Sequence, residues 1–272
     1  DQVEWSKCYI DVDYPKITNH LALAYEIILE CNSRAIPIKR KLYIDAMTSR
    51  VIFSTNLIKN HGVLGRGQSN YYGEVSFIHD SLAPNKFQLA DSTRGYGIIV
   101  KDVDTRYVVQ GDKANWPYLL PLDRSAIDVF YATQKYYDFL KSRFNRNSLD
   151  GHGFRLNANV KQFLFNNAYW DGLETSFGGG DCYSYNPFTY IDIVGHEFTH
   201  GLIQFTADLD YYGESGALNE SISDIFGKAL EYEVHPQTFS WDLGGKVSKD
   251  STSFFRSMRN PNDQMHPKYY KG

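Results

Sequence analysis

His196-Glu197-Phe198-Thr199-His200, followed twenty positions after its second histidine by Asn219-Glu220, constrains this chain more than any other stretch. Two histidines four apart project from one face of a helix, about one turn from each other. That spacing lets a single Zn²⁺ accept two imidazole nitrogens, and the glutamate between them can act as general base toward a water on the metal. Residues 191–205 read as the helix that carries the motif, with Ile191, Ile193, Val194, Phe198, Leu202, Ile203 and Phe205 toward the body of the protein. A second helix is predicted over 217–227. There Leu218, Ile222, Ile225 and Phe226 form the expected buried stripe, while Glu220 and Asp224 lie four apart on one face. Glu220 would complete a His₂Glu set with one position left open. Asp224 suits the carboxylate that metal-bound histidines usually need for their other ring N–H, with His196 the expected recipient. Solvated helix charges are the plainer reading of these residues. Carboxylates among Leu, Ile and Phe, with no basic residue read beside them, fit it poorly because burying an unpaired charge is costly.

Taken with Asn219-Glu220-Ser221-Ile222-Ser223-Asp224, the motif resembles the thermolysin family of secreted gluzincin metallopeptidases. Asn167-Ala168-Tyr169-Trp170 is similar to the family's substrate-edge strand, where the asparagine side chain and the alanine carbonyl hold a peptide backbone. Tyr211, nine residues before Glu220, matches the tyrosine that steadies the oxyanion; Arg256 matches the arginine that binds a carbonyl on the leaving-group side. Taken singly, each of these is more often a packing or surface residue, so the resemblance rests on their joint order. It implies a zinc-dependent endopeptidase that hydrolyses peptide bonds with a zinc-activated water, Glu197 serving as the base. It also implies cleavage before bulky hydrophobic residues, in a pocket lined by Phe188, Ile193, Leu243 and Phe255, four residues equally readable as core.

Two departures from the family pattern stand out. The family binds Ca²⁺ beside the zinc helix, and Asp192, Glu231 and Asp242 match three of those acidic positions. Ser240 and Gly245 stand where further carboxylates are expected. Ca²⁺ takes six to eight oxygens, which leaves room for one ion rather than a pair. The family also continues into a helical domain with a further oxyanion-stabilising histidine. The sequence ends at Tyr269-Tyr270-Lys271-Gly272 before such a motif, and neither His235 nor His266 has its surroundings. The expectation is a piece of a longer protein, or a chain completed by a separate C-terminal segment.

Residues 1–60 stand apart. Residues 21–30 and 41–52 alternate apolar with polar side chains, as strands of an antiparallel sheet do. Tyr43-Ile44-Asp45-Ala46-x-Thr48-x-x-Val51-Ile52 resembles the closing hairpin of the PepSY-type propeptide module, which acts in the family as chaperone and inhibitor of its own catalytic domain. A small β-domain without that task is the simpler alternative. The glycine-rich run His61–Gly67 is the expected junction, where a processing cut is easiest. Cys8 and Cys31 could pair if adjacent strands bring them close, leaving Cys182 over.

The expected organisation is therefore a propeptide-like module over 1–60, a β-rich catalytic domain with the zinc helix over 61–206, and the start of a helical domain over 207–272. The fold class is α+β. A long helix is predicted over 124–144 with Asp123 as its N-cap. A net charge of −4 with scattered basic residues argues against a nucleic-acid surface. No apolar run reaches membrane-spanning length and no signal peptide is seen, so a start at Asp1 suggests a processed or trimmed chain. The expected protein is a secreted zymogen, or its processed form, acting on peptides. The runner-up is a catalytically weak or inert relative that keeps the metal site for a binding or regulatory role.

Overall fold

The computed structural model describes residues 2–12, 20–31, 38–56, 61–116, 121–160, 164–250 and 252–266. Tyr269–Gly272, where the sequence reading notes the missing motif, lies outside them. The architecture is mixed α+β, with strands dominating the first part and the longest helices the later part.

Strands β1 (Gln2–Asp11), β2 (Leu21–Cys31), β3 (Ile38–Asp45) and β4 (Val51–Asn56) form an antiparallel sheet in sequence order. Residues 41–52 thus form the hairpin that the resemblance implied. Its turn is pinned by the Asp45 carboxylate, which accepts the N–H groups of Met47 and Thr48 at 2.8 and 2.7 Å. The Cys8–Cys31 pairing fails on register. Cys8 lies opposite Ala24, seven residues along β2 from Cys31 and so roughly 23 Å away. A disulfide requires Cα atoms within about 7 Å, and Cys8 is a free thiol.

The glycine-rich run is not an exposed linker either. It is strand β5 (His61–Gln68), paired along its whole length with β6 (Glu74–Ala83). Gly65 and Gly67 are buried, and a Cβ on Gly67 would strike Ile127. Gly65 and Gly67 permit close packing that a side chain would block. With β7 (Lys86–Gln88), β10 (Gln110–Gly111) and β11 (Asn115–Trp116), β5 and β6 make one five-stranded sheet. A second holds β8 (Ala90–Asp91), β9 (Ile98–Asp102), β12 (Leu156–Val160), β13 (Ala168–Trp170) and β14 (Thr175–Phe177) in the order β13-β14-β12-β9-β8. That order leaves β13 at an edge.

Helix α1 spans Pro121–Phe144. It begins two residues before the predicted cap, because a proline loses no hydrogen bond in the first helical turn. Asp123 is therefore inside the helix. Ile127, Phe130 and Leu140 of α1 are buried with Ile98, Val100 and Leu156 from the second sheet. Tyr136 reaches the next helix, α2 (Ile191–Gln204): its ring stacks on Phe198 at 5.8 Å and its hydroxyl lies 3.0 Å from Thr199 Oγ1. A hydrophobic frame thus holds α2 from behind.

Helix α3 spans Gly213–Val234, and its orientation overturns the predicted stripe. Leu218 and Ile225 are exposed at 54 and 46 %, while Asn219, Ser223, Asp224, Gly227, Lys228 and Glu231 are buried. The reason is steric and electrostatic together. A Cβ placed on Gly195 of α2 would lie 3.0 Å from Gly227 Cα, so the two backbones approach closely only where both are glycine. That approach turns the polar face of α3 onto the polar face of α2.

Two predictions follow from this packing. Gly227→Ala pushes a methyl against the Asp192 carbonyl, and should cost about 2 kcal/mol in urea unfolding. His79 is buried among Phe77, Phe87 and Trp116. Burial lowers its pKa to about 4 from 6.5, against a smaller upward pull from the Ala114 carbonyl. The depressed pKa contributes stability above pH 6.5 that is lost as pH falls toward 4. The acid-induced loss across that window should be smaller in His79→Leu than in the parent.

Candidate metal centre

His196 and His200 lie one turn apart on α2, only 5 and 8 % exposed. Their Nε2 atoms face each other at 3.0 Å. Glu220 on α3 brings Oε2 within 3.4 Å of His196 Nε2 and Oε1 within 3.6 Å of His200 Nε2. The outer ring nitrogens are already engaged. His196 Nδ1 lies 2.7 Å from Asp224 Oδ1; His200 Nδ1 lies 2.8 Å from Asn219 Oδ1 and 3.2 Å from Ser223 Oγ. Acceptors on the outer nitrogens place the ring protons outward and leave both inner lone pairs aimed at one point.

Two lone pairs and a carboxylate converging on one point repel unless a cation sits there. The protonation balance expresses that demand. Burial alone would lower the His196 pKa, but hydrogen bonds to Asp224 and Glu220 more than offset it and raise it to about 9. His200 is lowered, by burial first and then by the charge on His196. The donor set of two imidazoles and a carboxylate fits Zn²⁺, which takes the same nitrogen and oxygen ligands and carries the charge the gap requires.

Glu197 points into the same space, its side chain grouped with the two histidines. Burial raises its carboxyl to about 7, with the Glu220 carboxylate adding and the charges of His196 and Arg256 opposing. A carboxyl balanced near neutrality can both take and return a proton.

The centre opens into a cleft of about 1330 Å³, lined by Asn167, Ala168, Trp170, Phe188, Ile193, Tyr211, Leu243, Phe255 and Arg256, among others. Ala168 opens the edge strand β13, which pairs with β14 on one side only. Its register is fixed to the metal helix: Trp170 Nε1 donates to Gln204 Oε1 at 2.8 Å, and Gln204 Nε2 donates to the Gly172 carbonyl at 3.2 Å. Phe188 and Phe255 stack at 5.6 Å, and Phe188, Ile193 and Leu243 are at most 5 % exposed. Those residues are core and pocket wall at once. Tyr211 is 66 % exposed, with its hydroxyl donating to Glu220. Arg256 lies in β16 (Arg256–Ser257), paired with β15 (Asp242–Leu243). It grips Asp224 with two bonds, Nε to Oδ2 at 2.6 Å and a terminal nitrogen to Oδ1 at 2.9 Å.

The sequence reading placed no basic residue beside Glu220 and Asp224. Arg256, paired with Asp224 and 3.6 Å from Glu220, corrects it. It also passed over Asn219, Ser223 and Gln204. Asn219 and Ser223 are four apart and next to Glu220 and Asp224, so the helical period could have put all four on one face. Gln204, four beyond His200, carried no such signal.

A mixed α+β fold in which a buried His₂-carboxylate centre faces a sheet edge defines a metallopeptidase-like protein. Residues 64–204 match the thermolysin metallopeptidase catalytic domain, and residues 207–272 match the thermolysin metallopeptidase alpha-helical domain. The chain belongs to the thermolysin metallopeptidase family. It is 33 % identical over 205 residues to a bacillolysin of Bacillus cereus, covering 73 % of this chain and 36 % of that protein. A bacillolysin of Bacillus amyloliquefaciens is 30 % identical over 257 residues, covering 92 % and 48 %. A thermolysin of Alicyclobacillus acidocaldarius is 32 % identical over 232 residues, covering 83 % and 40 %. The chain thus spans less than half the length of these curated relatives. Among solved structures, the precursor of protealysin, a metalloproteinase from Serratia proteamaculans, superposes with a TM-score of 0.51 at 26 % identity, covering 75 % of this chain and 56 % of that one.

The outward bond on His200 gives a direct test. Asn219→Ala should weaken zinc by roughly 10- to 100-fold in a chelator competition while the far-ultraviolet spectrum stays unchanged. Unchanged zinc affinity would show that Asn219 does not orient the ring.

Proposed function

We propose that this chain is the zinc-binding part of a secreted endopeptidase that cleaves peptide bonds before bulky hydrophobic residues. The observation that carries the reading is the convergence of His196 Nε2, His200 Nε2 and Glu220 on one point beside a near-neutral Glu197, at the foot of a sheet-edge cleft. His196, His200 and Glu220 hold the metal. When bound, Zn²⁺ supplies Lewis acidity toward a water and a carbonyl oxygen.

The chain's own residues account for the remaining roles. An extended peptide adds to the free edge of β13, with Asn167 and Ala168 taking its backbone, the mode of any strand added to a sheet edge. Its side chain after the scissile bond enters between Phe188, Ile193, Leu243 and Phe255, and burying an aliphatic or aromatic group there favours cleavage by about 2 kcal/mol. Glu197 takes a proton from the attacking water and passes it to the leaving amine. Tyr211 donates its phenol hydrogen to the developing oxyanion. Arg256, fixed by Asp224, presents its remaining N–H groups to a carbonyl on the leaving-group side.

Residues 1–60 are proposed as the propeptide-like module of the same enzyme. The four-stranded sheet and the kinship to a protealysin precursor support that reading. The module meets the catalytic part where Phe53 packs edge-on against Tyr96, with centroids 5.4 Å apart. Among the described residues those lining the cleft all come from 166 onward, and the chaperone and inhibitory tasks are proposed from the family resemblance. A secreted setting rests on the same resemblance; no helix among the described residues is long and apolar enough to cross a membrane. Calcium is not part of this proposal.

The test is hydrolysis of an internally quenched peptide by the zinc-loaded chain, with and without chelator, before and after a cut between the first and second sheets. Turnover that rises after the cut and vanishes with chelator is the expected result. Glu197→Gln should keep one zinc per chain and lose at least a hundredfold in kcat, since it removes only the proton acceptor. Full chelator-sensitive activity in that variant would sink the mechanism. Glu220→Gln should instead lose zinc.

A further inference from the structure

Behind the metal centre lies a second buried charge cluster, at the position where the family resemblance implies calcium. Asp192 stands on α2 one turn before His196, Glu231 on α3, and Asp242 opens β15. Asp192 and Glu231 are each 1 % exposed. Among them sits Lys228, 2 % exposed.

The ammonium is fully coordinated. Lys228 Nζ donates to Glu231 Oε2, to Asp192 Oδ2 at 3.4 Å and to the Asp242 carbonyl at 3.2 Å. An ammonium has three hydrogens, and each has an acceptor from a different element or turn. The Phe239 ring covers it with its centroid 5.3 Å from Nζ. Gly244 N–H donates to Asp192 Oδ2 at 3.1 Å and Tyr190 hydroxyl donates to Glu231 Oε1 at 3.0 Å, while Asp192 Oδ1 is buried without a hydrogen-bond partner.

This arrangement does not fit calcium. Ca²⁺ needs six to eight oxygens at about 2.3 to 2.6 Å, and here the point where the acidic groups meet holds a cationic nitrogen. Ser240 and Gly245 supply no carboxylate to bring the count up. An added divalent ion would face the ammonium across a distance where like charges repel strongly in a buried setting. Asp192 and Glu231 bring two buried carboxylates to the one ammonium, and the Glu231 carboxyl is raised by burial and by the Asp192 charge, with Lys228 opposing.

We propose that the Lys228 ammonium does, from within the chain, the structural work of the family's calcium beside the zinc helix. It ties Asp192 on α2, Glu231 on α3 and the Asp242 carbonyl on β15 into one frame. The consequence reaches the metal centre: β15 pairs with β16, which carries Arg256, and Arg256 holds the Asp224 carboxylate that orients His196. Lys228 therefore keeps α2, α3 and the hairpin in register without any dependence on calcium.

The test uses the whole zinc-loaded chain and reads melting temperature and calcium-competed terbium luminescence, neither of which depends on peptide hydrolysis. Zinc content is measured in parallel, so a failure of the peptidase reading shows up separately. The parent protein should melt at the same temperature in a calcium-selective chelator and in millimolar calcium, with no terbium signal that calcium displaces. Lys228→Met, which keeps the chain length and removes the charge, should lower the melting point in both media by on the order of 10 °C, as breaking a buried pair does. Lys228→Ser, which vacates the centre and leaves the carboxylates, should melt low in chelator and regain stability with calcium. A parent protein whose melting point climbs with calcium, or whose terbium signal calcium displaces, overturns the proposal. So does a Lys228→Met protein that melts with the parent. Should Lys228→Met not accumulate as folded protein, the comparison on the parent still decides.

Discussion

The close approach of Gly195 on α2 to Gly227 on α3 is the contact on which the rest of the catalytic part depends. Two helices that meet backbone to backbone leave little room for an apolar layer; apart from Leu230, packed on Gly195, the buried side chains of α3 around the contact are polar and must satisfy one another. On one side of the glycines Asp224, Asn219 and Ser223 take up the histidine nitrogens; on the other Lys228 takes up Asp192 and Glu231. Unpaired, any one of these buried groups would cost several kcal/mol. Paired, they fix the rotation of each helix about its axis to within a hydrogen bond.

That rotation is what makes a metal centre out of ordinary residues. The hydrophobic frame behind α2, with Tyr136 on Phe198 and α1 on the second sheet, sets where the helix lies. The polar interface with α3 sets which way the imidazoles turn. Gln204 and Trp170 then carry the position of α2 out to the sheet edge, so strand β13 and the two histidines are referenced to the same helix. Positioning of this kind, through groups already locked by packing, is how a site holds reacting atoms within a few tenths of an ångström.

How much of this is legible in the sequence depends on how local the signal is. The helix carrying His196 and His200, the hairpin around Asp45 and the α+β class follow from spacing, alternation and turn chemistry within short windows. The face of α3 does not. Leu218, Ile222, Ile225 and Phe226 make a respectable apolar stripe, yet Leu218 and Ile225 face outward because the Gly227 contact overrides the pattern. Glycine spacing across two helices is a tertiary signal, invisible in a single window. The glycine-rich run 61–67 misled for a related reason: the residues that favour a flexible linker also permit a strand packed tightly on Ile127 and His79. Lys228 was hidden because a lysine four residues after an aspartate reads as a surface pair, and only its burial reveals otherwise.

The central claim is that His196, His200 and Glu220 hold one metal ion. X-ray absorption at the zinc edge of the zinc-loaded chain addresses it most directly. The account predicts two imidazole nitrogens and the remainder oxygen, all at about 2.0 to 2.2 Å. A sulfur shell at about 2.3 Å from the cysteines, or a spectrum without imidazole scattering, would contradict it.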